Sequence, residues 1–203
     1  MGFLPEHFRF HDWLTGDEFL TLRFHAGPAC VLDYEVELRA THGEVVLGDQ
    51  KDGGMGIRVA ESMRVLKPRV KGQKTAPRGE GHIVTSEGAR DAEAWGKRAK
   101  WCDYYGPVEG KTVGVAIFDH PANPRHPTWW HVRTYGLFTA NPFGLSSFEK
   151  NPDKNVGNFT IPAGQSVTFR YRFYFHEGDE KQGRVEEQYA AYVKETGWLG
   201  GER

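Results

Sequence analysis

The stretch "SVTFRYRFYFHE", Ser166–Glu177, decides the fold. Val167, Phe169, Tyr171, Phe173 and Phe175 fall on one side of it, and Arg170, Arg172, Tyr174 and His176 on the other. Successive side chains of an extended chain point to opposite faces, so this period of two predicts a long strand with one dry face. The same period runs through "VLDYEVELRAT", where Leu32, Tyr34, Val36, Leu38 and Ala40 oppose Val31, Asp33, Glu35, Glu37 and Arg39. "GEVVLGD" follows the His42-Gly43 turn and reads as the hairpin partner of that strand. In "GMGIRVAESM", Met55, Ile57 and Val59 oppose Gly56, Arg58 and Ala60, while "KTVGVAIFDH" is a continuous apolar run suited to a central strand. Turn signals such as "KDGG", "EGK" and "IPAGQ" separate these segments.

Two stretches lack periodicity. "VKGQKTAPRGEGH", Val70 to His82, and "LSSFEKNPDKNVGN" read as polar loops. Helical spacing appears in "RVEEQYAAYVKET", where Val185, Tyr189, Tyr192 and Val193 make one apolar stripe and Gly197 stands at a C-cap position. The expected architecture is all-β: an antiparallel β-sandwich filling residues 1–203 as a single domain, with one late helix at about 183–196 packed on the outside of the sheet.

Bulk composition narrows the function. Acidic and basic side chains nearly cancel, leaving a formal net charge of -1, so no long-range field draws a nucleic acid. The mean hydropathy of -0.61 and the absence of an apolar run near the roughly 18 residues of a bilayer span argue against a membrane partner. The N-terminus "MGFLPEHFRFHDW" is too polar for a signal peptide, and Glu6 breaks the myristoylation pattern. A cytoplasmic location follows, or a secreted or periplasmic one if a leader precedes the chain. Cys30 and Cys102 read as buried free thiols, with a disulfide as the alternative.

Chemistry concentrates in "DHPANPRHPTWWHVRTYGLFTANPFG", Asp119–Gly144. A strand over Thr128–Tyr135 puts Trp130, Val132 and Thr134 on one face, and His131, Arg133 and Tyr135 on the other. An imidazole that titrates near neutrality beside a guanidinium that forks to oxygen atoms suits acid-base work on a polar substrate. Opposed to this is a plain solvated face. Asp119 ends an apolar strand, either as a charged group at a pocket rim or as an Asx-type turn. His120, His126 and His131 fall within a dozen residues, but their spacing matches no usual ligand motif, so no metal and no cofactor is expected. "GDQKDGGMGIRVAE" supplies Asp49, Lys51 and Arg58 but is neither a P-loop nor a dinucleotide fingerprint. Arg58 projects opposite Met55 and Ile57, toward a polar surface shared with Arg133. In "AWGKRAKWCDYYG", Trp95 and Trp101 alternate on one side as core or as stacking platforms. No nucleophile elbow and no carboxylate pair of a glycosidase stands out.

The segments Trp95–Gly144, Ile161–Gly178 and Gly48–Met63 resemble a family of uncharacterised bacterial proteins labelled "methane oxygenase PmoA", or PmoA-like, over about Cys30 to Gly178. The label does not fit the chain: a membrane monooxygenase subunit is built of apolar helices, and this sequence is polar and strand-rich. The resemblance implies instead a sandwich similar to the galactose-mutarotase-like supersandwich, whose concave sheet face binds saccharides; that is an analogy of fold. It also implies an N-terminal region with an "HH" motif and the first strands of the sheet, absent from a chain that starts at "GFLPEHFRFHDW". A homodimer that shares sheets is the arrangement this leaves room for.

The expectation is thus a carbohydrate-active protein of bacterial sugar metabolism. His131 carries a proton, Arg133 holds substrate oxygens and Asp119 orients or supplies a second proton. Lys51, Arg58, Trp101, His120, Asn123, His126, Trp129, Tyr135 and Asn141 contact a small saccharide or glycan. A non-catalytic carbohydrate-binding or assembly module is the second reading. A metal-dependent oxidase or hydrolase built on the histidines is the third.

Overall fold

A computed structural model of the protein describes residues 16–25 and 30–195. The N-terminal stretch and Gly197, both used above, lie outside the described residues. In chain order the strands are β1 Asp17–His25, β2 Cys30–Arg39, β3 Val45–Leu47, β4 Met55–Arg58, β5 His82–Thr85, β6 Trp101–Val108, β7 Lys111–Asp119, β8 Trp129–Val132, β9 Leu137–Asn141, β10 Phe159–Ile161 and β11 Ser166–Glu177. Two helices, α1 Leu145–Phe148 and α2 Val185–Lys194, complete the elements that matter here. All strand pairs are antiparallel. One sheet of six strands runs β1-β2-β11-β7-β6-β5, and β4-β9-β8 and β10-β3 form two smaller sheets. The protein is an all-β sandwich with a C-terminal helix.

The alternation of β11 explains the layering. Its inward side chains Phe169, Tyr171 and Phe173 enter the main core with Tyr104, Ile117, Trp130, Val132 and Phe138, which joins the large sheet to the three-stranded one. Its outward Tyr174 joins Val84, Trp101, Ala116 and Phe118 beneath Val185, Tyr189 and Tyr192 of α2. The middle of the large sheet is therefore buried on both faces, and its polar outward residues need partners. Arg172 forks onto Asp33 through Nε at 2.6 Å and Nη2 at 2.8 Å, and Glu195 closes over the same guanidinium at 2.7 Å. A buried charge is tolerated only when paired and hydrogen-bonded in this way. His176 solves the same problem against Asp103, with Nε2 3.1 Å from Oδ1. Its ring lies on bare backbone: a Cβ on either Gly114 or Gly183 would come within 2.3 Å of it.

Several sequence expectations change. "GEVVLGD" is not the hairpin partner of β2; the chain crosses to the other layer, so β3 pairs with β10 and β2 lies between β1 and β11. The segment through Trp95 is not a strand but follows a 3-10 turn over Asp91–Ala94. The second polar loop holds α1. Val193 is exposed, because α2 needs only Val185, Tyr189 and Tyr192 to reach the sheet. Asp33 sits on the face expected to be wet yet is buried, because α2 and Glu195 cover it. Both cysteines are free, but only Cys102 is buried; Cys30, at the start of β2, is exposed. Among the described residues no helix is long and apolar enough to cross a membrane.

Tyr192 is fully buried and its ring meets Phe118, Tyr189 and the Arg172 guanidinium. Truncating an aromatic in such a position leaves a cavity as well as losing apolar contact. Tyr192→Ala is expected to cost about 3–5 kcal/mol in urea denaturation followed by far-UV circular dichroism. A loss below about 1 kcal/mol would mean that α2 does not roof the sheet.

Candidate functional site on the outer face of the small sheet

In β8, Trp130 and Val132 point into the core, so His131 and the following Arg133 point away from it, as the alternation requires. Pairing sets their neighbours. His131 lies opposite Thr139, and Thr139 opposite Gly56. Arg133 donates its backbone N–H to Leu137, which is opposite Arg58. Only glycine fits at position 56, since a Cβ there would sit 2.4 Å from Thr139 Oγ1.

His131 faces outward but is only 2 % exposed, because Trp95 and Phe148 close over it. Trp95 Nε1 donates to His131 Nδ1 at 3.0 Å. An indole nitrogen is only a donor, so Nδ1 is the acceptor and the neutral ring carries its proton on Nε2. Nε2 is 3.7 Å from Asp52 Oδ1. Burial, and then the neighbouring Arg133 charge, hold the imidazole below its ordinary pKa, with Asp52 opposing. Arg133 stacks its guanidinium 5.0 Å from the centre of the Trp95 ring, and its Nε is buried without a hydrogen-bond partner. Lys51 Nζ grips both carboxylate oxygens of Asp52 at 3.0 and 2.7 Å, which lowers the Asp52 pKa and keeps it ionised. The cluster thus offers a neutral N–H donor, two cations and one carboxylate.

The 50–53 turn that delivers Lys51 and Asp52 is fastened from below. Asn141 donates Nδ2 to the carbonyls of Gln50 and Lys51, both at 2.9 Å, and accepts from Phe143 N–H. Asn141 is therefore a positioning residue, not a substrate contact. Asp49 does similar work, accepting from the backbone of Ser146 and Gly157. Arg58 is exposed beside Tyr135, 6.0 Å from its ring centre, at the edge of the same face. Lys51, Arg58, His131, Arg133 and Tyr135 are thus the expected residues that the fold brings to one face.

The other expected site residues are engaged elsewhere. Asp119 is 1 % exposed and accepts from Asn123 Nδ2 at 2.8 Å, His126 Nδ1 at 2.7 Å and Thr128 N–H at 2.9 Å. It is the hub of its own loop, the turn-holding alternative, and carries no contact to His131. Asn123 is spent on Asp119 and on both backbone groups of Arg170. His120 accepts Ala122 N–H and lies edge-on to Tyr192, under α2. Trp101 donates to Glu186 of α2 at 2.6 Å, and Trp129 donates to Glu149 at 2.7 Å with Arg98 over its ring at 4.4 Å. Neither tryptophan presents a bare stacking face. Because His120, His126 and His131 have separate partners, they do not converge; among the described residues no group of three or more metal-ligating side chains comes together.

Sequence reasoning missed Asp52, hidden in a turn of ordinary composition, and left Trp95 undecided between core and platform. An open depression of about 520 Å³ lined by Lys111, Thr112, Glu177, Gly178 and Gln182 lies on another part of the surface; none of its lining groups takes part in the His131 cluster. The model of a family of unknown function, DUF6807, matches residues 10–190. No curated protein and no solved structure matches the chain.

The two charges beside His131 act in opposite directions. In an NMR titration of its Cε1 proton, Asp52→Asn is expected to move the midpoint down and Arg133→Gln to move it up. Because the folded pKa is the lower one, His131 adds stability above about 6.5 that is lost as pH falls through the folded value. Unmoved midpoints in both variants would detach His131 from this cluster.

Proposed function

Because the chain belongs to the family of unknown function DUF6807, we propose its function from the site alone: a carbohydrate-active protein that holds a saccharide on the outer face of the small sheet and acts on it by acid-base chemistry. The observation that carries this reading is the neutral His131 with its proton fixed on Nε2, set among Arg133, Lys51 and Asp52. Sugar hydroxyls both give and take hydrogen bonds, and this cluster holds donors and an acceptor within one patch.

His131 is better suited to polarising an oxygen than to shuttling a proton. To become an imidazolium it must put a proton on Nδ1, where Trp95 already points a donor. A neutral imidazole that donates to a developing oxyanion is a known way of using histidine as an electrophile. Arg133, with Nε unsatisfied, holds a second oxygen. Asp52 is the proton acceptor of the set. The resemblance to PmoA-like proteins and to mutarotase-like sandwiches supports a sugar as the substrate, by analogy.

A non-catalytic carbohydrate-binding module is the second reading, favoured by one observation: Lys51 holds Asp52 ionised and so weakens it as a base. Calorimetric titration with mono- and disaccharides, oxidised sugars included, tests both. Wild type is expected to bind saturably, with affinity reduced at least about tenfold, or about 1.4 kcal/mol, in His131→Ala and Arg133→Ala and unchanged in the remote Lys111→Ala. Product formation across pH 5–9 separates the enzyme from the binder. Equal affinity in wild type and His131→Ala removes this face from the function.

A further inference from the structure

A basic hairpin adjoins the His131 face. Residues 67–78 carry five cations, Lys67, Arg69, Lys71, Lys74 and Arg78, and no carboxylate, in a chain whose net charge is only -1. All five residues are exposed. The two arms are closed at their root, where Lys67 N–H donates to Pro77 O at 2.9 Å and Gly79 N–H to Val65 O at 2.8 Å. That root is tied to the site. Leu66 N–H donates to Thr134 O at 2.9 Å. The Tyr104 hydroxyl accepts from Val65 N–H and lies 3.3 Å from the carbonyls of Arg133 and Thr134. The backbone at 133–134 therefore joins the proposed saccharide face to the foot of the hairpin.

Some of the cations in these segments are already neutralised. Lys51 is held by Asp52, Arg64 by Glu61 at 2.9 Å and Arg78 by Asp91 at 3.0 Å. Arg133, Arg58, Lys67, Arg69, Lys71 and Lys74 form no ion pair among the described residues. The neutral His131 ring adds no charge to offset them. Arg133 is the most constrained of the six. Stacking on Trp95 fixes its guanidinium, which donates no hydrogen bond among the described residues. A planar fork of this kind matches a carboxylate through two parallel N–H···O bonds. Unpaired cations on adjoining segments repel one another, and an anion that spans them relieves the repulsion.

We infer that the saccharide held at the His131 face is an acidic polysaccharide. One uronate carboxylate sits on Arg133, and the units that follow run along the hairpin against Lys67, Arg69, Lys71 and Lys74. This rests on the saccharide reading of the face and names its substrate class. Nucleic acid is the poorer fit among polyanions, because residues 66–80 hold no aromatic ring on which a base could stack.

Calorimetric titration with oligomers of galacturonate, mannuronate and glucuronate, each against its methyl ester, tests this, because esterification removes the charge and keeps the sugar. At least one oligouronate is expected to bind about tenfold or more tighter than its ester, and to weaken as salt is raised. Lys67→Ser, Arg69→Ser, Lys71→Ser and Lys74→Ser combined, all at exposed positions, are expected to leave the circular dichroism unchanged. The same variant is expected to lose about tenfold in affinity for that oligomer, and little for the single uronic acid, which does not reach the hairpin. Arg133→Gln is expected to weaken both. Acid and ester bound equally overturn the inference and leave the saccharide site standing, whereas no binding of either form removes both. An oligouronate affinity that survives the fourfold variant overturns the role of the hairpin. Preference for heparin or polyuridylate over every uronate, lost with the four cations, also overturns the inference and assigns the hairpin to a sulfated glycan or to RNA.

Discussion

The buried carboxylate of Asp119 is the junction on which the arrangement of the two layers depends. It sits at the end of β7, in the middle of the large sheet, and gathers Asn123, His126 and the Thr128 N–H around itself. Asn123 passes the connection to the backbone of Arg170 in β11. From the same loop, Arg125 donates to the carbonyls of Pro142, Gly157 and Asn158, and Arg98 reaches the carbonyls of Arg125, His126 and Pro127. A loop this rich in polar groups can be packed against the core only because nearly every one of them has a partner. Its effect is to deliver β8 into the small sheet with Trp130 inward and His131 outward.

That delivery makes the site a property of the fold. Once Trp130 and Val132 are committed to the core, His131 has no choice of face. Trp95, arriving from the 3-10 turn at Asp91–Ala94, then selects its tautomer. Asn141 sets the turn that carries Lys51 and Asp52. The polar groups that form the cluster come from two separate parts of the chain, the 50–53 turn and the 131–133 segment, each held by hydrogen bonds outside the cluster. Such support from rigid surroundings is what gives a site a defined geometry.

Much of the fold was legible in the sequence, and the site only in part. Alternation in β2, β8 and β11 separates the side chains that enter the main core from those that point away, since that periodicity is a local property. It does not show that Arg172, Tyr174 and His176 on the far face of β11 are buried while Phe175 on the near face is exposed. It correctly aims His131 and Arg133 together and correctly sets Arg58 opposite Met55 and Ile57. Pairing order is not local, so the sequence suggests β2 as the neighbour of β3, where the fold places β10. Nor can a sequence say which polar tips are already satisfied: Trp101, Trp129, Asn123 and Asp119 have the residue types of a sugar site, yet each is spent on Glu186, Glu149 or the 120–128 loop. Asp52 escaped notice because "KDGG" reads as a turn, and only the register Gly56–Thr139–His131 brings that turn to the imidazole.

The protonation state of His131 is the point from which its chemistry follows. Long-range 1H–15N correlation of the histidine side chains at pH 7 measures it directly. The account predicts a pyrrole-like Nε2 and a pyridine-like Nδ1 for His131, the pattern of a neutral ring with its proton on Nε2. A proton on Nδ1, or the paired shifts of an imidazolium, would contradict it.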